Sequence, residues 1–286
     1  MRYPFVAEYA HEFSVERICQ VLDIGRSGYY AWLQRTLGVR KQANQVLIEQ
    51  IRIEFQNSRK TYGSPRIQVV LKRKGFACGR HRVARLMRQD GICARSKRKK
   101  RPKTTQRQLG VVPAPNRLNQ DFSAQFPNQK WVSDFTYIET DEGWLYLAVV
   151  LDLFSRMVIG WAMSVTMDAA MVEAALQMAL LERQPKAGLL HHSDQGSQYT
   201  SAAYIDCLTS ALTQLSMSRV GNCYDNAVME SFFSTLKAEC VTALFPSRLQ
   251  ASTTIFEYME LWYNRQRIHS TLGYTSPLDF EQQISL

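Results

Sequence analysis

The chain of 286 residues has the composition of an ordinary globular protein, with 45% hydrophobic residues, 21% charged residues and a net charge of +10. Its length predicts about two domains. No run of about 18 uncharged apolar residues occurs and the N-terminus lacks a signal-peptide core, so we expect a cytoplasmic protein without a transmembrane helix. The six cysteines form no Cys-x-x-Cys pair, which is typical of reduced thiols, and the five histidines lack zinc-finger spacing.

The charge is distributed unevenly along the chain. Residues 1–120 carry 26 Lys and Arg against 7 Asp and Glu, a net charge of +19, whereas residues 121–286 carry 9 against 18, a net charge of −9. A polyanion such as DNA is therefore the expected partner of the first half. A basic but merely soluble protein is the alternative, which the coincidence of the charge change with a motif boundary disfavours.

Residues 1–40 are predicted to form an N-terminal helical segment. Apolar residues recur at helical spacing over 15–22, residues 23–26 supply a turn, and Ser27 is the expected N-cap of the next helix. Helix, tight turn and helix are typical of a helix-turn-helix, but any small helical hairpin gives the same pattern, so DNA contact here stays open.

Residues 41–94 are predicted to form a second, helix-turn-helix-like module. The helix expected over 81–89 has one apolar face, and Arg82 and Arg85 fall on another. Such a helix can present its arginines to phosphates or to a DNA groove. A solvated basic face with no partner is the alternative.

Residues 95–120 read as a basic linker, because they combine a run of charges with Pro113 and Pro115. We expect the run to follow the DNA backbone, although a solvated linker without specific contacts is the alternative. The residues of the run are Lys97, Arg98, Lys99, Lys100 and Arg101.

Residues 121–286 predict a sheet with helices on its faces. The expected elements are a strand over 131–138, a hairpin turn over 140–143, strands over 145–151 and 157–163, a helix over 168–183 and a short strand over 189–192. Three antiparallel strands followed by helix–strand alternation indicate an α/β fold.

Three acidic motifs stand in this half. Asp134 lies in Trp-Val-Ser-Asp-Phe-Thr-Tyr-Ile, Asp194 in His-His-Ser-Asp-Gln-Gly-Ser-Gln-Tyr, and Glu230 in Asn-Cys-Tyr-Asp-Asn-Ala-Val-Met-Glu, with 59 and 35 residues between them. Carboxylates are rarely buried without a partner, and three that converge need a cation, for which a hard divalent ion fits best.

Glu230 is expected on a helix whose N-cap is Asp225. On that helix Asn226, Glu230 and Lys237 share one face, because seven residues make almost two turns. Glu230 can then reach a metal ion, while Lys237, roughly 10 Å further along the axis, reaches a phosphate.

The spacing of the three carboxylates and the sequence motifs around them resemble those of the DDE transposases and retroviral integrases. The resemblance is strongest to the second-reading-frame (OrfB) transposases of bacterial insertion sequences. The stretches that carry the resemblance are Trp131–Ile138, His192–Tyr199, Gly221–Lys237 and Tyr263–Pro277. The resemblance implies an RNase H-like, integrase-type mixed sheet preceded by a small all-α helix-turn-helix-like region. Retroviral integrases also carry a zinc domain, whose pattern is missing, so we expect no zinc.

The resemblance further implies a divalent-metal-dependent polynucleotidyl transferase that cleaves 3′ ends and transfers strands. Asp134, Asp194 and Glu230 would be both catalytic and metal-ligating, with two Mg²⁺ or Mn²⁺ ions and Asp134 between them. Lys237 would bind the end of the element. No covalent enzyme–DNA link is required.

Supporting residues are less sharply indicated. His192 is expected to orient Asp194 rather than to act as a base, and Asn222 and Asn226 either support the site or cap the helix. Arg265 and Arg267 in the C-terminal tail are candidate DNA contacts. Asp152, near a strand end, is a minor candidate for the metal site.

The expected partners are double-stranded DNA, as element ends and target, further copies of the chain on DNA, and the upstream-frame product as a fusion or separate protein. The bacterial nucleoid is the expected location. A nuclease of the same fold without strand transfer, and a transposase-derived DNA-binding regulator, remain alternatives, although an intact carboxylate trio disfavours the regulator.

Overall fold

The computed structural model describes residues 2–34, 38–95, 113–219 and 222–283. Within these ranges the chain forms eleven α-helices and five β-strands. None of the described helices has the length and apolar character needed to cross a membrane.

The first three helices form a small unit of their own. They are α1 (Arg2–Tyr9), α2 (Val15–Val21) and α3 (Arg26–Leu33), and they pack around Val6, Ile18, Cys19 and Tyr29. Ser27 is not the N-cap of α3, contrary to the sequence-based prediction. Asp23 takes a left-handed conformation (φ 50°) that closes the turn early, so Gly25 in extended conformation precedes the helix.

The next three helices are α4 (Val39–Asn57), α5 (Ser64–Arg73) and α6 (Arg80–Gln89). Their buried apolar side chains belong to the same hydrophobic cluster as one face of the sheet. The backbone N–H of Ile268 donates a hydrogen bond to the hydroxyl of Tyr62 (2.9 Å), and the Tyr62 ring lies 5.9 Å from that of Trp262. This helical module is therefore packed on the C-terminal tail of the core.

The sheet has the order β3-β2-β1-β4-β5, with β1 central. Its strands are β1 (Lys130–Thr140), β2 (Gly143–Asp152), β3 (Val158–Ser164), β4 (Leu190–Ser193) and β5 (Gln214–Met217). The first three strands are antiparallel, whereas β4 pairs in parallel with β1 and β5 with β4. Gly143 permits the tight β1–β2 hairpin because its φ is 100°.

Helices cover both faces of the sheet. α7 (Ala169–Arg183) and α8 (Ala202–Ser210) pack on the face that carries Trp131. The opposite face carries Val132 and is covered by α9 (Ala227–Glu239) and α10 (Arg248–Glu257), which continues as a π-helical segment (Tyr258–Tyr263). Alternate residues of a strand share a face, so Asp134 lies on the α9 side. α11 (Pro277–Gln282) ends the described chain.

Residues 113–120, the second part of the predicted linker, are packed against the core. The side chain of Leu118 is only 2% exposed, and the backbone N–H groups of Arg117 and Leu118 both donate to the hydroxyl of Ser216 on β5. This segment therefore belongs to the folded core.

Gly160 on β3 provides a test of the sheet–helix packing. A Cβ atom there would lie 2.2 Å from the Ala175 carbonyl oxygen on α7 and 2.8 Å from the Ala179 side chain. We expect Gly160→Ala to lower the free energy of unfolding by about 1–3 kcal/mol, as overpacking does. Chemical denaturation measures the change, with Gly79→Ala as the control because no atom lies within 4 Å of a Cβ there. Equal stability of the two variants would contradict the packing described.

Candidate active site

The register of two strands brings the two aspartates together. β1 and β4 pair in parallel with Val132 opposite His192, so Asp134 and Asp194 stand two residues beyond the same pair. One oxygen of Asp134 accepts a hydrogen bond from the Phe135 N–H (2.8 Å), and one oxygen of Asp194 accepts from the Gly196 N–H (2.9 Å). Backbone groups thus fix the orientation of both carboxylates.

Glu230 lies in the first turn of α9, with an exposed side chain. The start of this helix is tied to β1, because the side-chain amide of Asn226 donates to the Ser133 carbonyl oxygen (3.3 Å) where β1 leaves its pairing with β4. Since Ser133 precedes Asp134, this bond sets Glu230 near the aspartates.

The Asp194 and Glu230 carboxylates both affect the pKa of Asp134. Burial raises the pKa of Asp134 well above its usual range, and the Asp194 carboxylate and then that of Glu230 raise it further, against the lowering effect of the Phe135 N–H. Charge repulsion of this kind is relieved when a cation binds between the groups.

The donor set suits a hard divalent cation, since it consists of carboxylate oxygens. As they stand, no three His, Cys, Asp or Glu side chains among the described residues are close enough to hold a metal ion. The three carboxylates would therefore have to close around an ion. Buried oxygens of Asn226, Gln195 and Tyr199 lack a hydrogen-bond partner within the described parts of the chain, so further polar groups surround the site.

Tyr199 is a residue of the site that sequence reasoning did not single out. Its hydroxyl is buried, and burial together with the nearby Asp134 carboxylate raises its pKa well above the usual range. Its ring also contacts those of Phe135 and Tyr204. Its place at the end of the Asp194 motif was the available signal.

His192 does not orient Asp194, contrary to expectation. Its two ring nitrogens are engaged by the hydroxyls of Ser216 (2.8 Å) and Ser218 (3.0 Å), which tie β4 to β5. Burial lowers the pKa of His192 to about 4. His191, which bonds Ser133, is likewise buried, and its pKa is lowered to about 3, so neither ring is placed as a general base.

Asp225 does not cap the Glu230 helix, so that prediction was wrong. A 3-10 turn (Cys223–Asn226) precedes α9, and Asp225 lies inside it with its carboxylate fully buried. Asn222 caps that turn by accepting from the Tyr224 N–H (3.1 Å). The extra turn moves the helix start past Asp225.

Asp152 lies on the other face of the sheet from Asp134, because it pairs with Trp131. Its carboxylate accepts from the backbone N–H groups of Asn128 (2.7 Å) and Phe154 (2.8 Å) and lies 3.4 Å from Arg183. It is therefore a structural group of the β2 end and not a ligand of the site.

Lys237 is half-buried along the same helix as Glu230. Its ammonium nitrogen lies 4.6 Å from the ring centroid of Tyr137 on β1, and burial lowers its pKa. The cation is thus held over an aromatic face beside the sheet.

The candidate DNA contacts are placed differently from one another. Arg85 is exposed, while Arg82 is half-buried and donates to the side chain of Asn44 on α4 (2.9 Å). Arg265 is exposed. The run of basic residues lies outside the described chain: Lys97, Arg98, Lys99, Lys100 and Arg101.

Arg267 cannot contact DNA in this structure, which corrects the sequence-based expectation. Its side chain is 4% exposed and donates two hydrogen bonds to the Glu239 carboxylate, at 2.8 and 2.7 Å. The pair joins the end of α9 to the C-terminal tail.

Removal of the Arg267 side chain should therefore destabilise the fold. We expect Arg267→Ala to cost about 3–5 kcal/mol, because Glu239 would remain as a buried and uncompensated charge. Arg265→Ala, two residues away and exposed, is the matched control and should stay within about 0.5 kcal/mol of the wild type. Denaturant titration measures both. A stable Arg267→Ala variant with weakened DNA binding would restore the DNA-contact role.

Comparisons with protein families agree with the order of elements along the chain. Two integrase core domain families match residues 124–223 and 212–277, and an HTH-like domain family matches residues 41–100.

Curated relatives cover almost the whole chain. The transposase InsF of insertion sequence IS3A from Escherichia coli K12 is 44% identical over 286 residues, which is 99% of each chain. An uncharacterized 31 kDa protein of insertion element IS600 from Shigella sonnei is 44% identical over 93% of this chain and 98% of its own length. Among solved structures, the HTLV-2 integrase catalytic core in complex with magnesium has a TM-score of 0.43 and 14% identity, over 56% of this chain and 99% of that one.

Proposed function

This chain belongs to the insertion-sequence transposases with an integrase core, the family of the IS3 transposase InsF, and we propose that Asp134, Asp194 and Glu230 are the residues with which it cleaves and joins DNA. The assignment is supported by the shared register of β1 and β4 and by the Asn226 tether of the Glu230 helix, together with the effect of the Asp194 and Glu230 carboxylates on the pKa of Asp134. The reaction is 3′-end cleavage of the element followed by strand transfer to target DNA.

Two Mg²⁺ or Mn²⁺ ions are the cofactors that these three carboxylates would hold. When bound, they supply Lewis acidity that activates an attacking hydroxyl and stabilises the leaving oxygen. The chain's own contribution is orientation: backbone N–H groups fix one oxygen of each aspartate, and Asn226 fixes the helix that carries Glu230. No serine or tyrosine is assigned as a nucleophile.

We assign DNA binding to the basic half. The proposed division is an N-terminal helical segment (1–40), a helix-turn-helix-like module (41–94), a basic linker (95–120) and the catalytic core with its tail (121–286). The second part of the linker, residues 113–120, packs on the core. The proposed DNA contacts of the first half are Arg85, the basic run and the half-buried Arg82 of α6. Arg265 is the proposed DNA contact of the C-terminal tail. Residues 1–40 contain five basic and four acidic side chains, whereas residues 41–94 contain twelve and three, which favours the 41–94 module as the main DNA-binding unit.

The proposed setting follows from the reaction. Joining two element ends to one target requires at least two copies of the chain on DNA. The upstream-frame product is a further proposed partner, and the cytoplasmic nucleoid is the proposed location. A nuclease without strand transfer is the second candidate, and a precut end with a free 3′-OH distinguishes the two, since only a transferase joins it to target DNA.

Neutral isosteres of the trio test the assignment. Asp134→Asn, Asp194→Asn and Glu230→Gln should each lower cleavage and joining by roughly 100-fold or more while element-end binding is retained, because the charge is lost and the shape is kept. Asp206→Asn, an exposed aspartate on α8, is the matched control and should behave as the wild type. Full joining by any one trio variant would contradict its assignment.

Lys237 is proposed to bind a phosphate of the element end. Lys237→Ala should lower joining of correct ends by about tenfold or more, as loss of a charge-assisted bond does, without changing the Mn²⁺ dependence. Lys237→Arg should retain more activity, since a phosphate accepts either cation. Lys186→Ala, an exposed lysine before β4, is the control. The measurement is the strand-transfer rate over a range of salt concentrations. If Lys237→Ala matched the wild-type rate at every salt concentration, the phosphate-binding role of Lys237 would be refuted.

A further inference from the structure

The fully buried carboxylate of Asp225 lies five residues before Glu230 and accepts five hydrogen bonds. Three come from Arg219, from its backbone N–H (2.8 Å), Nε (3.0 Å) and Nη2 (2.8 Å). The others come from the side-chain amides of Asn116 (2.8 Å) and Gln120 (2.9 Å). These donors hold the pKa of Asp225 well below its usual range, Arg219 foremost.

Asn116 and Gln120 belong to the segment through which the chain enters the core, about a hundred residues away in sequence. Asn119 and Gln120 both adopt left-handed backbone conformations, with φ of 44° and 62°. Such conformations are uncommon for residues other than glycine, so the contacts of this turn hold it in place.

The same turn is also joined to the strand that leads to Asp194. Arg117 and Leu118 donate backbone hydrogen bonds to the Ser216 hydroxyl at 2.9 and 3.1 Å, and that hydroxyl meets His192 Nδ1 on β4 at 2.8 Å. The entering segment thus contacts β5, which Ser216 joins to β4, and the 3-10 turn that precedes the Glu230 helix.

Asp225 and Asn226 are consecutive and fix the start of α9 from two sides. Asp225 binds the entering segment, while Asn226 donates to the Ser133 carbonyl of β1. A buried ionised group with partners from two segments contributes less to stability than apolar packing would, because desolvation offsets the attraction. Its contribution lies in fixing one geometry.

We propose that Asp225 is a positioning residue that couples the segment 113–120 to the placement of Glu230. A displacement of residues 113–120 then reaches the Glu230 helix through Asn116 and Gln120. The inference rests on the proposed function only in naming Glu230 as the group that is positioned.

The test removes the two amides and leaves the Arg219 contacts intact. Asn116→Ala/Gln120→Ala is made in the full chain, because Gln120 is exposed and Asn116 half-buried, so the fold is retained. Gln125→Ala, an exposed glutamine of the following loop, is the matched control. Three quantities are compared: amide hydrogen exchange without DNA or metal, the dissociation constant for element ends, and the single-turnover joining rate of precut ends at saturating DNA.

The double variant should show faster exchange over residues 222–230 and unchanged exchange in α7. Its joining rate should fall roughly 10–100-fold, as displacement of a catalytic group by about an ångström does, while the dissociation constant stays within about twofold. The control should match the wild type in all three. Unchanged exchange over 222–230, or an equal fall in the control, would overturn the coupling.

Two further outcomes separate this inference from the proposed function. Faster exchange over 222–230 in the double variant, together with no joining by the wild type, would support the coupling and refute strand transfer. Asp225→Asn should lower the joining rate by the same route, so adding it to the double variant should cost less than the product of the separate effects. If the joining rate of the combined variant instead fell by the full product of the separate fold-changes, a shared mechanism would be contradicted.

Discussion

The burial of Asp134 beside two other carboxylates is the constraint on which the site depends. Asp134 lies on β1, Asp194 directly follows β4, and Glu230 comes from the first turn of α9. Burial raises the pKa of Asp134 most, and the Asp194 and Glu230 carboxylates raise it further. A cation bound between these groups would relieve the repulsion that Asp134 experiences. A bound metal ion would offset the carboxylate charges, and the surrounding fold determines where the carboxylates lie.

The scaffold fixes the site through backbone and amide groups rather than through further charges. The N–H groups of Phe135 and Gly196 hold the aspartates, and Asn226 holds the start of the Glu230 helix against β1. The histidines beside Asp194 stay neutral and serve the sheet, so they add no competing charge. Asp225, in the 3-10 turn before the Glu230 helix, is neutralised by Arg219 and by amides of the entering segment.

The local sequence pattern predicted those helices and strands whose formation depends on interactions within one segment. Alternation and apolar runs gave the β1–β2 hairpin, β3, α7 and the short strand before Asp194, because those signals lie within each segment. The burial of Arg267 and the role of Asp225 were missed because their partners, Glu239 and Asn116, are 28 and 109 residues away. The basic residues of the Tyr-Asn-Arg-Gln-Arg tail predict DNA contacts from composition alone, and only the tertiary fold shows which arginine is buried.

Metal binding by the carboxylate trio is the central claim, and it can be measured without DNA. Titration of Mn²⁺ into the full chain, followed by electron paramagnetic resonance of the free ion, reports binding directly. The account predicts saturable binding by the wild type that Asp134→Asn abolishes and Asp206→Asn leaves unchanged. Equal Mn²⁺ binding by Asp134→Asn and the wild type would contradict it.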